Sequence, residues 1–131
     1  MKQSAANNYR TNRKGPIPSA AAEQLTVTKA ADAVTTPAIV AMSGLEDNAS
    51  VLSAFSVVGE LDVIADSVVA PATECSVENL VIFNCDTTDH TFTVTYATLT
   101  GPCFTVTVKA GDIWSWADGY EETSVLTENN Q

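Results

Sequence analysis

The sequence predicts an all-β protein, an antiparallel β-sandwich or jelly-roll-like domain that follows an extended N-terminal arm. Three observations carry that prediction. Between residues 90 and 116, "HTFTVTYATLTGPCFTVTVKAGDIWSW", apolar and threonine side chains alternate in two consecutive strands, 91–98 and 103–109, with the period of a half-buried strand. Threonine occurs 17 times in 131 residues and suits a pleated, half-exposed surface. Finally, the basic residues are crowded at one end: Lys2, Arg10, Arg13 and Lys14 all precede residue 15, where no acid occurs.

Residues 1–23 have no apolar periodicity, and "GPIP" favours an extended, polyproline-like path. Two readings are open for this arm. It is a disordered tail, or it orders only on a neighbouring molecule, anchored by Tyr9, Pro16, Ile17 and Pro18 and steered by Arg10, Arg13 and Lys14. Residues 24–131 are expected to form the folded domain, long enough to bury a core without metal or disulfide support.

The first strand of that domain is expected at 24–29, where Leu25 and Val27 alternate with Thr26 and Thr28, and a second at 37–42, "PAIVAM". Residues 43–72 admit two readings. Ser43 and Glu46 fit a capping box, and Leu45, Ala49 and Leu52 share one helical face, so a short helical turn fits 44–49. Strands are favoured over 52–58 and 61–65. Glu78 to Cys85 holds a continuous apolar run, expected to be a strand buried on both faces. "DTTDH" then turns the chain, strands follow at 91–98 and 103–109, and "AGD" turns it into a strand from 113. Together these read as an antiparallel meander, with an edge strand at 123–127.

Charge limits the function. The chain carries a net −10, and after residue 15 two lysines stand against 16 acids, a balance of −14. A body of that sign repels phosphate backbones, so nucleic acid is not an expected partner. No apolar run approaches the roughly 20 residues of a membrane helix, and the N-terminus lacks a signal peptide's apolar core, so no membrane partner is expected. Cys75, Cys85 and Cys103 are an odd number without a C-x-x-C pair, which fits free, mostly buried thiols.

Chemistry is sparse. His90, the single histidine, falls in a turn and is expected to face solvent. "CDTTDH" (Cys85, Asp86, Asp89, His90) mixes soft and hard ligands at a spacing that matches no zinc or EF-hand pattern. The acidic groups Glu46/Asp47, Glu60/Asp62/Asp66 and Glu121/Glu122 read as a solvated rim. No phosphate-binding loop, dinucleotide fingerprint or nucleophile elbow is present. The expectation is therefore no catalytic, metal or cofactor residues. Trp114 and Trp116, two apart, share a strand face and with Tyr120 have two readings: they close the sandwich, or they form an exposed aromatic patch that contacts a protein or a sugar.

The run "ENLVIFNCDTTDHTFTVTYATLTGPCFTVTVKAGDIW" resembles a pattern in small structural proteins of tailed bacteriophages. In that pattern a strand ends in an Asn-containing turn (here Asn84 to Asp89), a Thr/Val strand pair follows (91–98 and 103–109), and an Ala110-Gly111-Asp112 turn leads to an outer strand. The likeness covers about 40 of 131 residues; Cys85, Cys103 and the acidic stretch 44–78 depart from it. It implies a non-enzymatic virion component assembled in the host cytoplasm. Such a component would be a capsid decoration (cement) protein or a head-fibre, neck or tail part, working as a homo-oligomer against the major capsid protein or another virion protein. The alternative is a receptor- or carbohydrate-binding module using Trp114, Trp116 and Tyr120.

Overall fold

The computed structural model describes residues 17–20, 24–96, 104–117 and 120–124. Ten strands and no helix occur among them: β1 (Ile17–Ser19), β2 (Leu25–Lys29), β3 (Ala38–Asn48), β4 (Val51–Leu61), β5 (Ser67–Val69), β6 (Glu74–Phe83), β7 (His90–Tyr96), β8 (Phe104–Val108), β9 (Ile113–Ala117) and β10 (Tyr120–Ser124). Every pairing is antiparallel. One six-stranded sheet runs β10-β9-β6-β3-β4, with β1 also on β6; a four-stranded sheet runs β5-β2-β7-β8.

Side chains from both sheets form one buried cluster. Leu25, Val27, Phe92, Val94 and Val108 come from the smaller sheet, and Val40, Met42, Val77, Leu80, Ile82, Trp114 and Trp116 from the larger. The alternation read in the sequence is what sorts them. In β7, Phe92 and Val94 turn inward while Thr91, Thr93 and Thr95 face outward. The outer face of the smaller sheet is consequently a threonine surface: Thr26 is opposite Thr95, Thr28 opposite Thr93, Thr93 opposite Thr105, and the hydroxyls of Thr91 and Thr107 bond at 2.9 Å.

The expected meander is corrected to a single hairpin. β7 and β8 pair, but β6 and β9 belong to the other sheet and pair with each other. Alternation fixes which side chains point inward and is silent on which strand lies alongside.

Residues 44–48 are strand and Ala49 opens a tight hairpin turn, so no helical turn forms there. β3 continues to Asn48 and reverses through Ala49 and Ser50, whose φ values of 55° and 69° are both left-handed. Two such residues make the tight hairpin turn whose twist matches its strands. The capping-box spacing of Ser43 and Glu46 is overridden by pairing along both sides of β3. The strand expected at 61–65 is a turn instead: β4 ends at Leu61, and Asp66 Oδ2 accepts the amides of Asp62 (2.9 Å) and Val63 (3.1 Å).

β6 is also not buried on both faces. Cys75 and Val77 point inward before residue 78, and Leu80 and Ile82 after it. A bulge produces this change of parity: Gly44 is opposite Val77 and Ser43 opposite Asn79, so Glu78 has no opposite residue on β3. One extra residue turns every later side chain over. A β-carbon on Gly44 would collide with the carbonyl oxygen of Ser76, so glycine is the residue this close approach admits.

Two sequence boundaries shift. The arm does not extend to residue 23, because Ile17, Pro18 and Ser19 pair with Val77, Ser76 and Cys75, and Ser19 Oγ accepts the Leu25 amide at 3.0 Å. The strand expected at 123–127 begins earlier, at Tyr120, and is described to Ser124; residues 125–127 lie outside the described residues.

Candidate functional site

The sequence placed His90 in a solvent-facing turn, and the structure corrects this. His90 is the first residue of β7, paired with Val108, and is buried. Its ring meets Phe92 edge-on at 6.4 Å between centroids. Burial follows from the loop before it, which folds back as a knot around Asn84. That fully buried amide donates to the carbonyls of Thr88 (2.9 Å) and Val108 (2.8 Å) and accepts the Asp86 amide (3.0 Å). The backbone of Asn84 bonds Gly111 and Asp112 in the "AGD" turn.

Asp86 is the hub of this knot. Its Oδ1 accepts the amides of Thr35 (2.8 Å), Thr36 (3.2 Å) and Thr87 (2.8 Å) and the Thr35 hydroxyl (2.8 Å). Its Oδ2 accepts the Val34 amide and His90 Nε2, both at 2.7 Å. With the Val34 amide as the largest contribution and the His90 bond next among those that favour the charge, the carboxyl is held far below the usual carboxylate range, against the opposing effect of burial. A carboxylate so fully occupied has no lone pair left for a substrate proton. The hydroxyl nearest the ring, Thr88 Oγ1, is 3.4 Å from the same Nε2 that Asp86 engages. The arrangement is built as a clamp that ties the β2–β3 loop to the β6–β7 loop.

The metal reading of "CDTTDH" finds no converging geometry. Asp89 Oδ1 accepts the Ala110 amide at 3.0 Å, while Cys85 Sγ lies 3.8 Å from the Phe83 carbonyl. Among the described residues no group of three or more His, Cys, Asp or Glu side chains is placed to hold a metal ion. Cys75 and Cys85 are free thiols whose pKa values burial raises, and Cys103 lies outside the described residues.

The aromatic patch needs correction as well. Trp114 and Trp116 are 2% and 6% exposed, and Trp114 packs on Phe104 across the sheets with ring centroids 5.9 Å apart. Side chains so placed offer no contact area to a partner. Tyr120 follows them at the start of β10, opposite Ala117. Of the expected arm contacts, Ile17 and Pro18 are backbone-paired in β1, while Tyr9, Arg10, Arg13, Lys14 and Pro16 lie outside the described residues.

The exposed apolar surface lies elsewhere. Val51, Leu52 and Val58 of β4 are 64%, 68% and 66% exposed, and Leu45 of β3 is exposed near them. A second, smaller group, Val34, Val63 and Ile64, surrounds the loops joined by the Ala33–Asp62 backbone bond and the Ile64 amide to Asp32 Oδ1. β4 ends the order of the larger sheet. From Asn48 to Gly59 it and its turn carry no ionisable side chain, in a chain of net charge −10. Sequence reasoning missed this surface. The signal was present, an uncharged stretch of twelve positions, but a helical pattern overlapped its beginning.

No helix among the described residues is long and apolar enough to cross a membrane. Comparison with protein families, with curated proteins and with solved structures finds no match to this chain.

Proposed function

We propose that this chain is a non-enzymatic structural subunit of a bacteriophage particle, a capsid-decorating (cement) protein in its most specific form, assembled in the host cytoplasm and carried on the virion. Its work is adhesion: it presents surfaces to like subunits and to the major capsid protein or another virion protein. The observation that carries this reading is β4, the outer strand of the β3–β4 hairpin, whose residues 51–59 are neutral and present exposed apolar side chains on an otherwise acidic body. Monomeric proteins usually blunt such an edge with charge or proline, and this one does not. The likeness of residues 78–114 to phage structural proteins supplies the particle. A head-fibre, neck or tail position is the same reading with a different neighbour. The jelly-roll refinement of the sandwich belongs to it too, since β6 to β7 and β8 to β9 each pass from one sheet to the other.

The basic arm is the second adhesive element, with four cations and no acid in residues 1–16. Because β1 is part of the sheet, the informative truncation removes 1–16 and keeps Ile17–Ser19. The full chain is expected to co-sediment with intact particles, and the truncated chain to lose attachment with its urea midpoint unchanged. Absence of the full chain from purified particles would exclude the proposal, and normal attachment of the truncated one would exclude the arm's part in it.

A further inference from the structure

We infer that the open edge of β4 pairs with the same edge of a second copy of this chain, antiparallel and in one register. The inference rests on the adhesive reading of the hairpin above and names its partner.

Hydrogen-bond direction comes first. β3 and β4 pair without a break from Asn48↔Val51 to Ala38↔Leu61, closed by the two-residue turn at Ala49 and Ser50. In such a hairpin the closing pair exchanges both of its bonds, and bonded and non-bonded pairs then alternate. Val51, Ser53, Phe55, Val57 and Gly59 therefore direct their amides and carbonyls to β3. Leu52, Ala54, Ser56 and Val58 direct theirs outward, to the edge where the sheet ends among the described residues. These same four residues carry exposed side chains. Edge and apolar face coincide.

Charge selects the occupant. Two copies of a chain with net charge −10 repel across most of their surfaces. The stretch 48–59 is free of charge, so like can approach like there. The other outer strands serve less well: β10 carries Glu121 and Glu122, β5 has three residues, and β8 has five. Pairing over 51–59 runs for about 30 Å at the rise of an antiparallel strand, and Val51, Leu52 and Val58, the three most exposed large aliphatics among the described residues, all lie in it.

Register follows from the side chains. Outward-bonding residues must oppose one another, which restricts the two-fold pairing to even-numbered partners. Placing the axis at Phe55 sets Leu52 opposite Val58 of the second copy and Val58 opposite its Leu52, with Ala54 opposite Ser56 between them. Both large exposed residues then find apolar partners on the same face. Glu60 falls opposite Ser50 of the second copy, so no like charges meet. Moving the axis by one residue breaks the Leu52–Val58 match. The interface is isologous and joins the two larger sheets into one.

The test is sedimentation of three full-length chains: wild type, Leu52→Lys/Val58→Lys, and Leu52→Glu/Val58→Glu. Wild type is expected to be a dimer. Each charged chain faces like charges across the axis, so its dimer dissociation constant should rise roughly a hundredfold or more. An equal mixture of the two should form a one-to-one heterodimer, because the ammonium introduced by Leu52→Lys then meets the carboxylate introduced by Val58→Glu, and the reverse. Restored pairing also shows that both variants are folded. A monomeric wild type, charged chains that still dimerise alone, or a mixture that stays monomeric each overturns the inference. So does a dimer dissolved by deleting residues 1–16, since the arm would then be the occupant of the edge. A dimer with this register that is absent from particles leaves the inference standing and removes only the virion reading.

Discussion

His90 Nε2 lies 2.7 Å from Asp86 Oδ2, and the same carboxylate holds the amides of Val34, Thr35 and Thr36. One side chain thus joins two loops that are about fifty residues apart in sequence, because a carboxylate offers several lone pairs while each amide needs one acceptor. The bonds to Asp86 favour its charged form, and that preference has a consequence for pH.

A carboxyl whose folded pKa is depressed contributes its stability above the unfolded value, about 3.9, and loses it as pH falls toward the folded one. Asp86→Asn should lower the urea midpoint at pH 7, and the gap to wild type should narrow below about pH 4. Urea titrations of both proteins between pH 7 and pH 2 check this. A gap that is absent at pH 7, or constant throughout, contradicts the clamp.

Gly44→Ala is expected to destabilise the protein by about 1–3 kcal/mol, because the new methyl meets the Ser76 backbone, which the bulge holds in place. Gly59→Ala meets only a methyl of the Val68 side chain and should cost less. Chemical denaturation of both variants provides the comparison, and equal losses would mean that the bulge is not rigid.

Lys29 sits at the inward position that ends β2, 3% exposed, and its Nζ has no hydrogen-bond partner among the described residues. A buried polar group without a partner costs folding energy. Lys29→Met keeps the aliphatic stem and removes the ammonium, so stability should rise by about 1 kcal/mol or more. Thermal unfolding of the variant measures it, and a lower midpoint would indicate a partner that satisfies the ammonium.

The buried tryptophans predict that indole fluorescence of the folded protein is blue-shifted and poorly quenched by acrylamide, and that both properties are lost together on unfolding. Efficient quenching in the native state would restore Trp114 and Trp116 as surface residues and reopen a sugar- or receptor-binding role for them.

Much of this was legible in the sequence. Phe92, Val94 and Val108 were identified as inward-facing, and Thr91, Thr93 and Thr95 as outward-facing, from alternation alone, since a strand's side-chain period is a local property. The burial of His90 was not legible, because it depends on Asn84 and Asp86 gathering amides from three separate segments. The exposed edge of β4 was hidden for a related reason. Leu45, Ala49 and Leu52 satisfy helical spacing, and only the partners along β3 overrule it.

The order of residues is enough to establish an all-β chain, its alternating faces, and a basic N-terminal end attached to an acidic body. These follow from backbone periodicity and from counting charges. Tertiary structure alone decided that β9 returns to β6, that a bulge at Glu78 reverses which β6 residues are buried, and that a neutral strand lies at the sheet's edge. The physical reason is that a strand's own residues fix which face is apolar, whereas its neighbour is selected by hydrogen bonds and packing supplied by residues far away in the chain.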